Sequence, residues 1–283
     1  MFTAVLAIAL KEIKDNFRNR WFLFIGLMLT CLSLLITFAG SAVSGELVVA
    51  DLPLLMTSLS SMCVYILPLT AILLSYDSFI GEEESGTLLL LLSYPVTRLH
   101  IILGKLLGHL WVFSCTIGWA FFLTAILVWT LTAFPIQEVV VAFIHLILSS
   151  ILLTVCFVLL GYIVSLLVVE KAKAIAVLLF LWVMIVLVYD LVLLTFMVAD
   201  LQGFSNAIFQ VLILLNPSDL FRAIMSGVVL PDIPPQGDVV QHRGSNSMLS
   251  IAQMPIAGLY SGLLLWVSFL LIVGQQIFSR KRL

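Results

Sequence analysis

Six apolar runs, each long enough to cross a bilayer, constrain this chain more than any other feature of it. They lie at about 21–43, 53–75, 106–133, 139–168, 174–198 and 256–278, against the ~20 residues that a helical span needs. Lipid is the solvent that accepts them. With 63% hydrophobic and 10% charged residues and a mean hydropathy of +1.24, no polar surface covers a chain of this length in water. In lipid each spanning segment satisfies its own backbone, so the spans are helices and the fold class is an all-α polytopic membrane protein. The third and fourth runs exceed the requirement and predict tilt or protrusion, with Pro135 at the turn between them.

The first ten residues are apolar but are not a signal peptide, because the positive charges follow Val5–Leu10 instead of preceding it. Leu6, Leu10, Ile13 and Phe17 fall at i, i+4, i+7 and i+11, on one face, with Lys11, Lys14 and Arg18 elsewhere. That pattern predicts an amphipathic helix over 3–19, within an interfacial segment 1–20 that lies in the headgroup plane. Basic residues orient the array. With the N-terminus inside, the inner segments hold Lys11, Lys14, Arg18, Arg20, Arg98, Lys105, Lys171, Lys173, Arg280, Lys281 and Arg282, eleven of the thirteen Lys and Arg. The outer side holds only Arg222 and Arg243. Both termini are therefore expected inside.

The outer segment 199–255 is not uniform. Residues 207–215 are apolar but too short to span, and Asn216-Pro217 follows as an N-cap and first-turn pair. A second short helix is expected from there through Met225, stopping near Gly227. Two short apolar helices on one side read as a re-entrant pair before the sixth span. Residues 231–250 turn polar and Pro/Gly-rich, an exposed loop. Its Asp232, Asp238, His242 and Arg243 give mixed charge suited to a polar contact with an external partner.

Sites of chemistry are few. Gly81-x4-Gly86 has P-loop spacing, but Thr87 stands where the lysine belongs, so no phosphate cradle forms and the chain does not hydrolyse ATP alone. Asp190 is the one carboxylate well inside an expected span, and an intramembrane acid is a functional hypothesis by default. Tyr189-Asp190 matches half of an intramembrane aspartyl protease pair, but the G-x-G-D half is absent. Pairing with a polar group, or a part in gating or a dimer interface, are the readings left to Asp190. His109 and His145 have no metal ligand at i+3 or i+4 and read as structural. The methionines form no M-x-x-M or M-x-M cluster, so no metal site is expected. Cys31, Cys63, Cys115 and Cys156 each sit in an apolar run and read as small buried hydrophobes. Gly104-x3-Gly108 and Gly258-x3-Gly262 permit close helix contact, including a dimer seam. A net charge of −2 leaves no nucleic-acid footprint.

The most informative stretch is Asp77–Lys105. Glu82, Glu83 and Glu84 place three carboxylates together at the inner mouth of the second span, able to meet a basic partner. Ser85-Gly86-Thr87 breaks the charge run. Leu88–Leu92 follows, too short to span and too apolar for free water, and then Pro95, Thr97, Arg98 and Gly104-Lys105. The run from Gly81 to Arg98, ending in Ile102-Leu-Gly-Lys105, resembles the cytoplasmic segment of ABC-2 type permeases. The resemblance covers the whole chain in layout. It implies that 76–105 is a coupling segment touching a separate cytoplasmic ABC ATPase through Glu82, Glu83, Glu84, Gly86, Thr87, Leu88, Pro95 and Arg98. It further implies a permease that is half a transporter, paired with a second copy of itself, in a bacterial inner membrane. ATP and Mg would sit on the partner ATPase, with no cofactor in this chain. Within the family the likeness is narrowest to permeases serving the copper sites of nitrous oxide reductase. That implies a sulfur or copper species as cargo and a periplasmic copper-handling subunit docking on the outer loop. A mechanotransmitter that moves no cargo, and an exporter of unrelated cargo such as lipid or polysaccharide, remain open beside it.

Overall fold

The computed structural model describes residues 2–18, 20–39, 49, 51–198, 206–229 and 255–281. Among them the chain is helical, with no strand. The elements are α1 (Phe2–Arg18), α2 (Trp21–Thr37), α3 (Leu52–Ser75), α4 (Asp77–Glu84), α5 (Thr87–Ser93), α6 (Arg98–Leu131) and α7 (Ile136–Leu167). Then follow α8 (Lys171–Trp182), a π segment (Val183–Val188), α9 (Tyr189–Val198), α10 (Asn206–Leu214), α11 (Pro217–Val229) and α12 (Ile256–Arg280). Five stretches are long and apolar enough to cross a membrane: Leu52–Glu84, Arg98–Leu131, Ile136–Leu167, Lys171–Phe196 and Ile256–Arg280. The first expected span is represented by α2, 17 residues long and meeting α1 at 69°. Arg20, at the bend, takes a positive φ of 55°.

Two boundaries depart from expectation, each for a local reason. The second span does not end in a loop at residue 75. Its backbone stays helical through Tyr76 and restarts as α4, so the acidic run is helical. The restart leaves the Phe79 and Ile80 N–H groups without helical acceptors. Both donate instead to Ser165 Oγ of α7 at 3.1 Å, in a buried position. The third span begins eight residues before its apolar run, because Thr97 and His100 form a capping box. Lys105 is thereby carried inside α6 and is not a loop cation.

α7 lies at the centre, against α3, α6, α11 and α12. Its Gly161 lies so close to Ser75 that an added Cβ would stand 1.8 Å from Ser75 Oγ. A smaller apolar cluster, Ile213, Leu220, Ala223, Ile224, Leu259 and Leu263, joins the re-entrant helices to α12. Asn216 caps α11 as expected, its Oδ1 accepting from the Ser218 N–H at 3.0 Å. The small-residue pairs are used within the chain. Gly104 and Gly108 receive α1: a Cβ at either would stand 2.7 Å from Ile8 Cβ or 2.6 Å from Glu12 Cβ. Gly262 receives Leu220 and Leu214. α1 thus shows one face, Ile8, Ala9, Glu12 and Asn16, to α6, and leaves Leu6, Leu10 and Phe17 exposed. The exposed stripe is the one that its periodicity marks out.

Replacing Ser165 by Ala strands two buried N–H donors, each worth about 1–3 kcal/mol. Thermal unfolding in detergent should show a clearly lowered midpoint for Ser165→Ala and almost none for Ser268→Ala, whose exposed hydroxyl bonds only its own helix. Equal midpoints would contradict the bridge.

Candidate functional site

α4 carries its carboxylates around a helix, so neighbours point in different directions, about 100° apart. Each meets a cation of the same chain. Glu82 pairs with Lys11 of α1 and stands 2.9 Å from Lys105 of α6. Glu83 pairs with Lys281 after α12. Glu84 and Asp77, two turns apart on one face, share Lys171, the first residue of α8, at 3.1 and 3.0 Å. One eight-residue helix is therefore tied to α1, α6, α8 and the end of α12. The carboxylates expected to wait for a basic partner are committed inside the chain.

The innermost pair is the most buried. The Lys105 side chain is 1% exposed, with Glu12 Oε1 at 2.7 Å, Glu82 Oε1 at 2.9 Å and the Phe79 ring centroid 5.4 Å away. Burial alone would raise the Glu12 carboxyl. The Lys105 ammonium outweighs it and holds the group below the ordinary carboxylate range. At Lys11, burial works to lower the ammonium, and the Glu82 contact reverses that into a net rise. His109, one turn beyond Lys105, extends the network. Its Nε2 lies 3.3 Å from the Leu74 carbonyl, and its Nδ1 lies 2.8 Å from the Tyr162 hydroxyl and 3.1 Å from the Lys105 carbonyl. Beside this Lys105–Glu12–Glu82 clasp opens a polar cavity of about 320 Å³, bordered by Asp15, Asn16, Arg18, Asp77, Ser78 and Lys171 among others.

The other residues expected to face an ATPase divide into two groups. Arg98 turns inward, its guanidinium donating to the Phe278 and Lys281 carbonyls and lying 5.3 Å from the Phe278 ring. Leu88 is fully buried. Exposed are Glu84, Ser85, Gly86, Thr87, Leu89, Leu90, Ser93, Tyr94 and Pro95. Gly86 makes the turn between α4 and α5 at φ +70°, where any side chain would be strained. Asp232, Asp238, His242 and Arg243 lie outside the described residues, so the structure does not place them.

A second polar centre lies in the other half of the molecule. Asp190, just after the π segment, accepts from Arg222 of α11. Tyr65 of α3 adds its hydroxyl at 3.4 Å and its ring at 5.8 Å from the same guanidinium. The π segment leaves the Ile185 carbonyl open to Asn216 Nδ2, at 2.9 Å. Asp219 stands 3.7 Å from Arg222. Burial pushes its carboxyl up to about 6, against the pull of Arg222 and Asn216. Among the described residues no three His, Cys, Asp or Glu cluster as metal ligands would.

The family of ABC-2 family transporter proteins matches residues 6–283. The chain belongs to the ABC-2 transporter permease family. This permease is also 35% identical over 282 residues to the probable ABC transporter permease protein NosY of Stutzerimonas stutzeri, covering 97% of both chains. It is 37% identical over 283 residues to the protein of that name in Pseudomonas aeruginosa, covering 98% of both. It is a multi-pass membrane protein and the permease subunit of an ABC system.

Sequence reasoning found the acidic run but not its partners in the permease. Lys105 reads as a loop cation until the capping box at Thr97 is recognised. Glu12 gives a usable signal: it lies off the Leu6–Leu10–Ile13–Phe17 stripe, opposite the small-residue pair that brackets Lys105.

Removing one partner of a buried ion pair costs about 3–5 kcal/mol. Lys105→Met should therefore lower the thermal midpoint of the permease strongly, and adding Glu12→Gln and Glu82→Gln should recover part of the loss. The pH dependence has a definite sign. A depressed carboxyl stabilises above its unfolded pKa and loses that contribution as pH falls through its folded one. The midpoint should thus drop as pH falls through and below about 4, less so in Glu12→Gln.

Proposed function

We propose that this permease couples a separate cytoplasmic ATPase to a periplasmic subunit in the maturation of the copper sites of nitrous oxide reductase. The near full-length identity to two NosY proteins carries this reading. In it both termini are cytoplasmic, the membrane is the bacterial inner membrane, and the cargo is a sulfur or copper species. The ATPase docks on the exposed side of the coupling segment. Leu89 and Leu90 are 58% and 61% exposed beside buried Leu88, and two bare leucines on the short helix after the ion-paired α4 suit a protein contact. A second copy of the chain covers the face around Asp190. That ion pair is about one-third exposed on each side, which hydrocarbon does not tolerate. The periplasmic subunit docks on the segment 199–255.

One observation favours the mechanotransmitter reading. The span Lys171–Phe196 has only 11% of its most apolar window buried, the lowest of the five. Yet it is held by ion pairs near both ends, Lys171 to α4 and Asp190 to α11. A loosely packed rod clamped by charge at each end passes a displacement of α4 to the re-entrant helices with no cargo crossing.

With the ATPase of the same system, Leu89→Asp together with Leu90→Asp should reduce copurified ATPase at least tenfold while leaving the permease folded and inserted. Wild-type recovery would remove α5 from the interface.

A further inference from the structure

A trough of about 380 Å³ runs between the end of α1, the start of α2 and the middle of α6. Phe17, Phe22, Leu23, Leu27, Trp111 and Trp119 line it. Leu23, Leu27, Trp111 and Trp119 are 57%, 66%, 47% and 67% exposed, so the trough opens outward and is not filled from within. Gly26 lines it too, and a Cβ there would already stand 3.3 Å from Thr116 Cγ2. The stretch of α2 from Phe22 to Thr30 gives the trough ~12 Å of length. Phe17 meets Phe22 at 4.2 Å and Trp111 at 5.9 Å between ring centroids, closing the end beside α1.

Cations gather at that end. Lys14 stands one turn before Phe17 on one side of α1, and Arg20 follows at the bend, whereas Arg18 borders the polar cavity beside Lys105. Lys14 and Arg20 are exposed. Neither pairs with a carboxylate among the described residues, whereas Lys11 and Lys105 are neutralised. α1 is amphipathic and its exposed apolar stripe sets it at headgroup depth. The trough therefore begins beside unpaired cations at the membrane surface and runs into the hydrocarbon.

We propose that this trough binds an anionic phospholipid of the leaflet that holds α1. One acyl chain lies along Phe22–Thr30 between the two tryptophans, and the phosphate meets Lys14 and Arg20. The open apolar lining asks for a hydrocarbon chain, and the two uncompensated charges ask for an anion at one end. A phospholipid supplies both in one molecule. A second copy of the protein fits less well, because a two-fold seam through this trough would set the two groups of cations side by side.

Bromine on an acyl chain quenches tryptophan at contact, so Trp111 reports the trough directly. The full-length protein, with Trp21, Trp119, Trp129, Trp182 and Trp266 changed to Phe, is reconstituted in phosphatidylcholine. Dibrominated-chain phosphatidylglycerol or dibrominated-chain phosphatidylcholine is then titrated in. Half-maximal quenching is expected at a several-fold lower mole fraction of the anionic lipid. Adding Lys14→Gln and Arg20→Gln should bring the two curves together, and Gly26→Leu should lower quenching by both lipids. Coincident curves before those changes, or no quenching by either lipid because protein covers Trp111, would overturn the proposal. Native mass spectrometry checks it without the tryptophan changes. The unaltered protein extracted from a mixed membrane should retain phosphatidylglycerol over phosphatidylethanolamine, and the double-Gln variant should lose that preference. Equal retention by both would also overturn it.

Discussion

A buried ammonium needs acceptors brought to it, and at Lys105 two carboxylates supply them and tie one end of the molecule together. Lys105 comes from α6, Glu12 from α1 and Glu82 from α4. None of the three is near another in sequence, so satisfying the charge fixes three elements against one another. Gly104 and Gly108 bring α1 close enough for Glu12 to reach. Ser165 fixes the break at Tyr76 that aims α4. The remaining carboxylates of α4 then hold Lys171 and Lys281.

This arrangement changes what an acidic run at the mouth of a span means. Three adjacent glutamates in a loop form a patch for a partner. The same three on a helix diverge, and each reaches a different element. The surface left for a partner is α5 and the turn at Gly86, where Leu89 and Leu90 are bare. In the proposed reading, a displacement applied there would travel through the ion pairs into α1, α6, α8 and the end of α12. The far end of the α8–α9 span is tied in turn to α11 through Asp190 and Arg222.

Much of the fold is legible in the sequence because lipid imposes simple rules. Apolar run length marks the spans, and Asn216-Pro217 marks the start of α11. The periodicity of Leu6, Leu10, Ile13 and Phe17 marks the exposed stripe of α1. What escapes is pairing between distant segments. Nothing near Glu82 in the chain names Lys105 or Lys11, and the partner of Asp190 lies 32 residues on. Boundaries escape where a polar side chain overrides hydropathy: the Thr97–His100 box starts α6 early, and Ser165 lets α4 follow α3. The π segment before Asp190 has no hydropathy signature at all, since Val183–Val188 is as apolar as its neighbours.

If the acidic run acts through cations of its own chain, exchanging the charges of one pair shows it most directly. Glu83 and Lys281 suit the exchange because both side chains keep some solvent, at 32% and 16% exposure. ATP hydrolysis by the assembled complex is measured for Glu83→Lys, for Lys281→Glu and for the two together. The account predicts that each single change lowers coupled hydrolysis and that the exchange restores most of it, because the attraction is rebuilt with reversed polarity. A double variant no better than Glu83→Lys alone would show that Glu83 serves an external partner, and would contradict the account.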